Sequence, residues 1–223
     1  MFETPLQEPR TDSPSDTHHR IIEAAGELFS ESGYRHTTIR AVCRLAEANV
    51  AAVNYHFGNK KNLYLATLKY WRARAFEEYP IDLNDYSRPA EERIHTFVRT
   101  FLSRVLNKGE GSRFARLMAQ ELVQPTDALD VIVEETIRPT FAFLSTAVRE
   151  LFCRPPAEEE LRLCCVSIVG QIFYFYMSRH VTRRLFGREI FEMHEIDSIA
   201  RHISEFSLAA IRAIAAGNRG GNE

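Results

Sequence analysis

The sequence predicts an all-α fold of about nine helices, in which a small N-terminal unit of three helices with a helix-turn-helix precedes a larger helical bundle. Apolar residues recur at spacings of three and four from about residue 17 to the C-terminal region, and convincing alternating strand patterns are absent. The chain has 223 residues and is 45% hydrophobic, which is enough to bury a substantial core.

The first sixteen residues predict a disordered tail. Pro5, Pro9 and Pro14 interrupt a polar, acidic stretch that has few apolar residues. The stretch does not resemble a signal peptide, and no apolar run in the chain reaches the ~18 residues of a membrane span. We therefore expect a protein of the reducing cytoplasm.

The first helix is predicted to begin near Thr17. Ile21, Ala25, Leu28 and Phe29 then share one helical face. The segment "ESGY" is predicted to end this helix, because Gly33 suits the left-handed residue that follows a helix C-terminus.

Two short helices and one long helix follow. The hydroxyls of Thr37–Thr38 can cap the second helix, and Asn49 can cap a third that continues to about Phe57. Gly58–Asn59 predicts a break, after which a helix runs from about Lys60 to Glu78. Two short helices joined by a brief turn, packed under a first helix, are the helix-turn-helix arrangement.

The third helix is typical of one that enters the major groove of DNA. Val53 and Phe57 lie four residues apart and would anchor its inner side, which leaves the small and polar residues for bases and phosphates. Between residues 17 and 80, nine basic residues face six acidic ones, the only net positive segment of the chain. Taken singly, a Tyr–His pair or two alanines has an ordinary packing explanation, and it is their order that favours DNA.

The residues carry a specific resemblance. The stretch "RIIEAAGELFSESGYRHTTIRAVCRLAEANVAAVNYHFGNKKNLYLATL" resembles the DNA-binding domain of TetR/AcrR-family regulators, and "NVAAVNYHFGNKKNLY" resembles the CecR-like subgroup. The resemblance implies DNA contacts by Thr38, Arg40, Asn49, Val50, Ala51, Ala52, Asn54, Tyr55, His56 and Lys60. Many members have Gly in the turn where this chain has Glu47. A non-glycine residue with positive φ costs about 1 kcal/mol, so we expect either that the turn relaxes slightly or that the chain accepts this cost.

The same reasoning divides the chain into four parts. We expect a disordered tail over 1–16, a helix-turn-helix DNA-binding domain over 17–62, a helical effector-binding and dimerisation domain over 63–217, and a flexible tail over 218–223. The helix that begins near Lys60 would connect the two domains.

The C-terminal bundle contains a proline within a helical pattern. Pro139 should kink its helix and free the carbonyl of Glu135. The segment from Glu158 to about Leu185 is apolar on more than one side, which predicts burial by more than its own domain. The resemblance implies that this helix and the last one pair with their copies in a homodimer.

A sensor pocket is implied by the resemblance, with residues that the sequence defines less sharply. Aromatic side chains are dense in the bundle and polar residues are interleaved with them, as in small-molecule sites, although aromatic stripes are more often core. The predicted effector-binding residues are Phe101, Arg116, Gln120, Glu121, Gln171 and Tyr174.

Together these observations predict a homodimeric transcriptional repressor that an unknown small-molecule effector releases from double-stranded palindromic operator DNA. An activator is an open alternative. So is a thiol sensor on the same fold that uses Cys153, Cys164 or Cys165. An enzyme is disfavoured, since no nucleophile elbow, phosphate loop or metal-ligand spacing occurs, and we expect neither cofactor nor metal.

Overall fold

The computed structural model describes residues 14–106, 111–187 and 193–217, and these residues form helices without a strand. The first four helices are α1 (Pro14–His36), α2 (Ile39–Leu45), α3 (Val50–Phe57) and α4 (Lys60–Glu78). They are followed by α5 (Ala90–Leu106), α6 (Gly111–Val123), α7 (Ala128–Ile132), a π-helical turn (Val133–Ile137), α8 (Arg138–Glu150), α9 (Glu158–Met177), α10 (Arg179–Phe186), a 3₁₀ turn (Met193–Glu195) and α11 (Ile196–Gly217).

Helices α1 to α4 surround one core that also includes α6 and α7. Trp71 of α4 and Phe29 of α1 are fully buried there, together with Val53 of α3. Leu117 of α6 and Ile132 of α7 belong to the same cluster. The helix-turn-helix unit is therefore packed against the C-terminal bundle through apolar side chains.

A second core lies within the bundle, where α5 packs against α8, α9 and α11. Its members include Ile94, Leu102, Leu144, Cys165 and Ile203, each at most 1% exposed. The apolar spacing of these helices predicted their inner faces, because three- and four-residue repeats return to the same side of a helix.

Pro139 was predicted to kink its helix, and the helix there contains a π-helical turn while its backbone stays helical. The helix widens into the π-helical turn just before this proline, which cannot donate a backbone hydrogen bond. The freed carbonyl of Glu135 accepts a hydrogen bond of 3.3 Å from Nη1 of Arg72, and Thr136 Oγ1 accepts one of 3.0 Å from the same atom. The irregular turn before Pro139 is therefore also the place where this helix accepts hydrogen bonds from α4.

Three sequence-based boundaries are corrected. Helix α1 begins at Pro14 rather than near Thr17, so residues 14–16 of the predicted tail are helical, while 1–13 and 218–223 lie outside the described residues. Gly33 bends α1 with φ 75° and ψ 168°, and a last turn continues to His36. The predicted helix from Glu158 to about Leu185 divides at Ser178, whose carbonyl accepts hydrogen bonds from the backbone and hydroxyl of Thr182.

Candidate nucleic-acid interface

Both helices of the helix-turn-helix begin at a side-chain cap. Thr38 Oγ1 accepts a hydrogen bond of 3.1 Å from the N–H of Ala41, and Asn49 Oδ1 accepts one of 2.7 Å from the N–H of Ala52. Thr38 and Asn49 both have extended backbones, as N-cap residues require. The two predicted caps are confirmed, and they define where α2 and α3 start.

The turn between these helices keeps a positive φ at Glu47, which is one of the two outcomes that the sequence left open. Glu47 has φ 49° and is the only non-glycine residue with positive φ in the described ranges. The N–H of Ala48 donates to the carbonyl of Cys43 at 2.9 Å, and Arg20 Nε donates to the carbonyl of Ala46 at 3.1 Å. These bonds offset the ~1 kcal/mol that a left-handed residue with a Cβ costs.

Helix α3 has an inner side and an outer side. Val53 and Phe57 are buried as predicted, at 0% and 7% exposure. Tyr55 is 82% exposed and Val50 is 43% exposed. We define the recognition surface as the exposed residues of α2, α3 and their caps that the sequence predicted to touch DNA, namely Thr38, Arg40, Asn49, Val50, Ala51, Asn54 and Tyr55.

The three remaining predicted DNA-binding residues are half-buried. Ala52 lies at the edge of the core. His56 lies 5.5 Å from the ring of His18. Lys60 Nζ lies 4.5 Å over the Tyr34 ring and donates to the carbonyl of Arg35 at 3.5 Å. Lys60 thus also holds the start of α4 against the end of α1, and its burial lowers its pKa.

His18 of α1 packs against α3 and makes the stability of the folded protein depend on pH. Its ring stacks on Phe57 at 4.8 Å, and burial, then His56, then His19 lower its pKa below the ordinary 6.5. The folded chain therefore binds the proton less readily than the unfolded chain. Stability is lost as pH falls through about 6.5, and the loss stops below the depressed pKa of the folded state.

We expect His18→Gln to lose less stability than the wild type between neutral pH and pH ~5. Urea unfolding at the two pH values measures the difference. Because His19 and His56 are unchanged in the variant, an identical pH dependence in wild type and variant would contradict the assignment to His18.

The six predicted effector-binding residues do not share one set of contacts. Phe101 of α5 stacks on Phe97 with ring centroids 4.4 Å apart. Gln171 of α9 donates to Ser207 Oγ of α11 at 3.1 Å, which gives this interior amide the partner that its position required. Tyr174 is 62% exposed and Arg116 is exposed. The structure therefore distributes these residues over several surfaces.

Glu121 belongs to the junction between the two halves of the chain. Its carboxylate is 1% exposed and accepts a hydrogen bond of 2.6 Å from the Tyr64 hydroxyl of α4. The N–H and hydroxyl of Thr126 also donate to it, at 2.9 and 3.0 Å. The burial of Tyr64 and its bond to Glu121 raise the pKa of that phenol. The neighbouring Gln120 lies against Gly33, because a Cβ on Gly33 would stand 3.1 Å from its Oε1.

Ion pairs reinforce this junction. Lys61 pairs with Asp127 at 2.5 Å, and Lys69 with Glu135 at 2.8 Å. Arg113 of α6 pairs with Glu23 of α1 at 2.8 Å. The sequence offered no signal for these pairs, because the partners are 66 or 90 residues apart. Two of the pairs connect α4 to the bundle, and the third connects α1 to α6.

Three of the four cysteines are buried. Burial raises the pKa of the Cys165 thiol to about 12 and raises the pKa values of Cys43 and Cys164. Cys153 is exposed. Because the thiolate is the reactive form, the three buried cysteines are poor candidates for a thiol sensor.

Two further features concern metals and membranes. No group of three or more His, Cys, Asp or Glu residues in the described ranges is placed to hold a metal ion. Over the same ranges, α9 is the one helix long and apolar enough to cross a membrane, with 33% of its most apolar window buried. Core helices of globular proteins have the same composition, so this is weak support for a membrane span.

Two capped helices that meet at a tight turn, with an exposed polar and aromatic outer side, define a helix-turn-helix regulator that binds DNA. Residues 21–67 match the family described as bacterial regulatory proteins of the tetR family, and residues 90–211 match the C-terminal domain of the HTH-type transcriptional dual regulator CecR. The chain therefore belongs to the TetR family of transcriptional regulators and carries a CecR-type C-terminal domain.

Characterised relatives agree with this assignment. The HTH-type transcriptional dual regulator CecR of Shigella flexneri is 21% identical over 196 residues, which cover 83% of this chain and 86% of that protein. The HTH-type transcriptional regulator HbdR of Aromatoleum sp. is 34% identical over 80 residues, which cover 36% of this chain and 35% of that protein. The second match thus spans about a third of each protein.

Solved structures share the fold. The crystal structure of HlyIIR, a hemolysin II transcriptional regulator, has a TM-score of 0.58 at 19% identity and covers 86% of this chain and 99% of that chain. A TetR-like transcriptional regulator from Rhodococcus sp. RHA1 has a TM-score of 0.55 at 16% identity and covers 97% and 100%. At these identities the likeness concerns the fold alone.

Proposed function

We propose that this protein is a cytoplasmic homodimeric repressor that holds a palindromic operator through its recognition surface and leaves it when a small-molecule effector binds. The main observation in support of this proposal is that Tyr55 and Asn54 on the outer side of α3 are exposed, while Val53 and Phe57 of the same helix are buried. Two characterised relatives, AcnR and NicS, are named as repressors, which favours repression over activation. The proposal includes no catalytic step.

The dimer contact proposed here is an apolar face formed by α9 and α11. Its large apolar residues are three or eight positions apart, which places them on one side of each helix. They are exposed by 43% to 62% in the single chain, namely Leu163, Val166, Tyr174 and Met177 of α9 and Phe206 and Ile214 of α11. A stripe of large apolar side chains in water is costly, so pairing of the α9–α11 face with its copy would stabilise both chains.

Twofold symmetry then determines the form of the operator. Two recognition helices related by a dyad reach successive major grooves, about 34–36 Å apart, when the half-sites are separated by one helical turn. One short helix makes few base contacts, whereas two joined helices bind with far higher affinity because the second contact is intramolecular.

Helix α4 is the proposed connection between effector and DNA. We place the DNA-binding domain at 17–62 and the effector and dimerisation domain at 63–217, so that α4 continues from one into the other. The bonds from α4 to Glu121, Asp127 and Glu135 would transmit a change in the bundle to the recognition surface. An effector that favours a second arrangement of α4 would shift the population away from DNA.

Tyr55→Ala is expected to weaken operator binding about tenfold and to weaken binding to unrelated DNA by a similar factor, because its exposed hydroxyl would contact a phosphate rather than a base. The operator is first identified by genomic-fragment selection with the purified protein. Fluorescence anisotropy then measures the affinity for the operator duplex and for a scrambled duplex. Arg138→Ala is the matched control, since it changes an exposed side chain on α8 outside the DNA-binding domain. Unchanged affinity in Tyr55→Ala would contradict the proposed surface.

A further inference from the structure

A buried guanidinium lies where α4 ends against α5. The Arg104 side chain is 4% exposed, and within the described parts of the chain it has no carboxylate partner. Burial lowers the pKa of this guanidinium to about 10, so it remains a cation at neutral pH. A charge that is removed from water without a counter-ion is unfavourable, which makes this arginine unlike an ordinary ion-paired residue.

Arg93 provides the comparison on the same helix. It is 2% exposed, and its guanidinium pairs with the carboxylate of Glu150. Its Nε also donates to the carbonyl of Arg88 at 3.1 Å. Of these two buried arginines on α5, Arg93 has an anionic partner, whereas Arg104 has none among the residues that the structure describes.

The present partner of Arg104 is a main-chain carbonyl. Nε and Nη2 both donate to the carbonyl oxygen of Tyr79, at 3.0 and 2.6 Å. Tyr79 is the C-cap of α4, where the helix dipole places partial negative charge. The third nitrogen, Nη1, is buried and makes no hydrogen bond to a described residue. The guanidinium therefore holds the end of α4 and retains an unused donor.

Aromatic rings border this cation. The Arg104 Cζ atom lies 3.6 Å from the centroid of Phe76 and 5.3 Å from that of Phe101. Phe101 in turn stacks on Phe97. A cation beside flat apolar surfaces is suited to a ligand with one anionic group and an apolar body. Phe101 is also the one residue here that the sequence predicted to bind effector.

We propose that Arg104 receives the carboxylate of a small apolar monocarboxylic acid, and that this acid displaces the Tyr79 carbonyl and releases the C-terminal end of α4. The inference rests on the proposed function, since it gives the effector its chemical class. Two N–H groups now converge on one neutral oxygen. A carboxylate has two charged oxygens that match the guanidinium fork, and charge-assisted pairs of this kind are stronger than neutral hydrogen bonds.

The released helix carries its own reporter. Trp71 is the single tryptophan of the chain, lies on α4 and is fully buried. The test titrates phenylacetate and hexanoate, with phenylacetamide and hexanamide as uncharged counterparts, into the purified full-length protein. Trp71 emission and the thermal midpoint report binding, and operator affinity is measured separately by anisotropy.

The acids are expected to raise the thermal midpoint, to change Trp71 emission and to weaken operator binding, with the amides at least about tenfold less effective. Arg104→Met should remove the preference for acids, and Arg104→Lys, which keeps the charge but not the fork, should reduce it. Arg99→Gln is the matched control, since Arg99 is an exposed arginine of the same helix that pairs with Asp197.

Three results would overturn the proposal: equal responses to acids and amides, no response to either acid, or an acid preference that persists in Arg104→Met. Each of them would leave Arg104 as a structural contact of α4. If Arg104→Met does not fold, an unreduced acid preference in Arg104→Lys has the same meaning. Failure of the ligand-free protein to bind any operator would instead contradict the proposed function, and the comparison of acid with amide would still be readable.

Discussion

Phe206→Glu is expected to convert the protein into a monomer and to weaken operator binding by about 10²- to 10⁴-fold, the gain that an intramolecular second contact provides. Phe206 is 61% exposed in the single chain and lies on the α9–α11 face. A twofold contact brings each residue near its copy or near the opposite face, so the substitution would bury two carboxylates without cationic partners. Sedimentation equilibrium measures the mass and anisotropy the affinity.

Val123→Glu is the control for this experiment. Val123 is 67% exposed on α6, outside the α9–α11 face, so the same introduced charge should leave both mass and affinity unchanged. A Phe206→Glu protein that remains dimeric would show that another surface pairs the chains. A monomer that still binds operator with wild-type affinity would contradict the role of symmetry.

Gly26→Ala is expected to destabilise the protein by about 2 kcal/mol, although alanine is the better helix former by about 1 kcal/mol. A Cβ at Gly26 of α1 would stand 2.0 Å from Nε1 and 2.8 Å from Cε2 of Trp71. The indole is fully buried and cannot move into solvent, and the guanidinium of Arg113 lies 4.6 Å from its ring centroid. The clash therefore exceeds the gain in helix propensity. Urea unfolding measures the change.

A double-mutant cycle isolates the contact. Trp71→Phe removes the atoms that the new methyl would meet, so Gly26→Ala should cost at least about 1 kcal/mol less in the Trp71→Phe background. Gly217→Ala is a glycine control, because a Cβ there meets no atom within 4 Å. Additive effects of Gly26→Ala and Trp71→Phe would show that the two positions do not contact each other in solution.

Local chemistry explains what could be predicted of the helix-turn-helix. The caps at Thr38 and Asn49 and the spacing of the buried pair Val53 and Phe57 depend on residues fewer than five positions apart. The carbonyl of Glu135 was predictable for the same reason, since Pro139 removes the donor four residues later. The sequence did not indicate that Arg72 would donate a hydrogen bond to that carbonyl.

For the predicted effector-binding residues, by contrast, the sequence did not indicate which side chains they contact. Glu121 and Gln120 were predicted as ligand contacts because they are polar residues among aromatic ones. The structure places them against Tyr64 and Gly33 at the junction with the DNA-binding domain. Arg104 was not predicted, because an arginine on an amphipathic helix is usually solvated. Only its 4% exposure and its contact with Tyr79 distinguish it.

By itself, the sequence determined the helical class, the helix-turn-helix with its caps and turn, and the family, because these depend on short-range spacing and on a contiguous stretch of residues. The tertiary structure decided which polar side chains are buried, which ions pair across α4, and which apolar residues of α9 and α11 stay exposed in the single chain. Burial and pairing depend on residues far apart in the chain, and no local pattern encodes them.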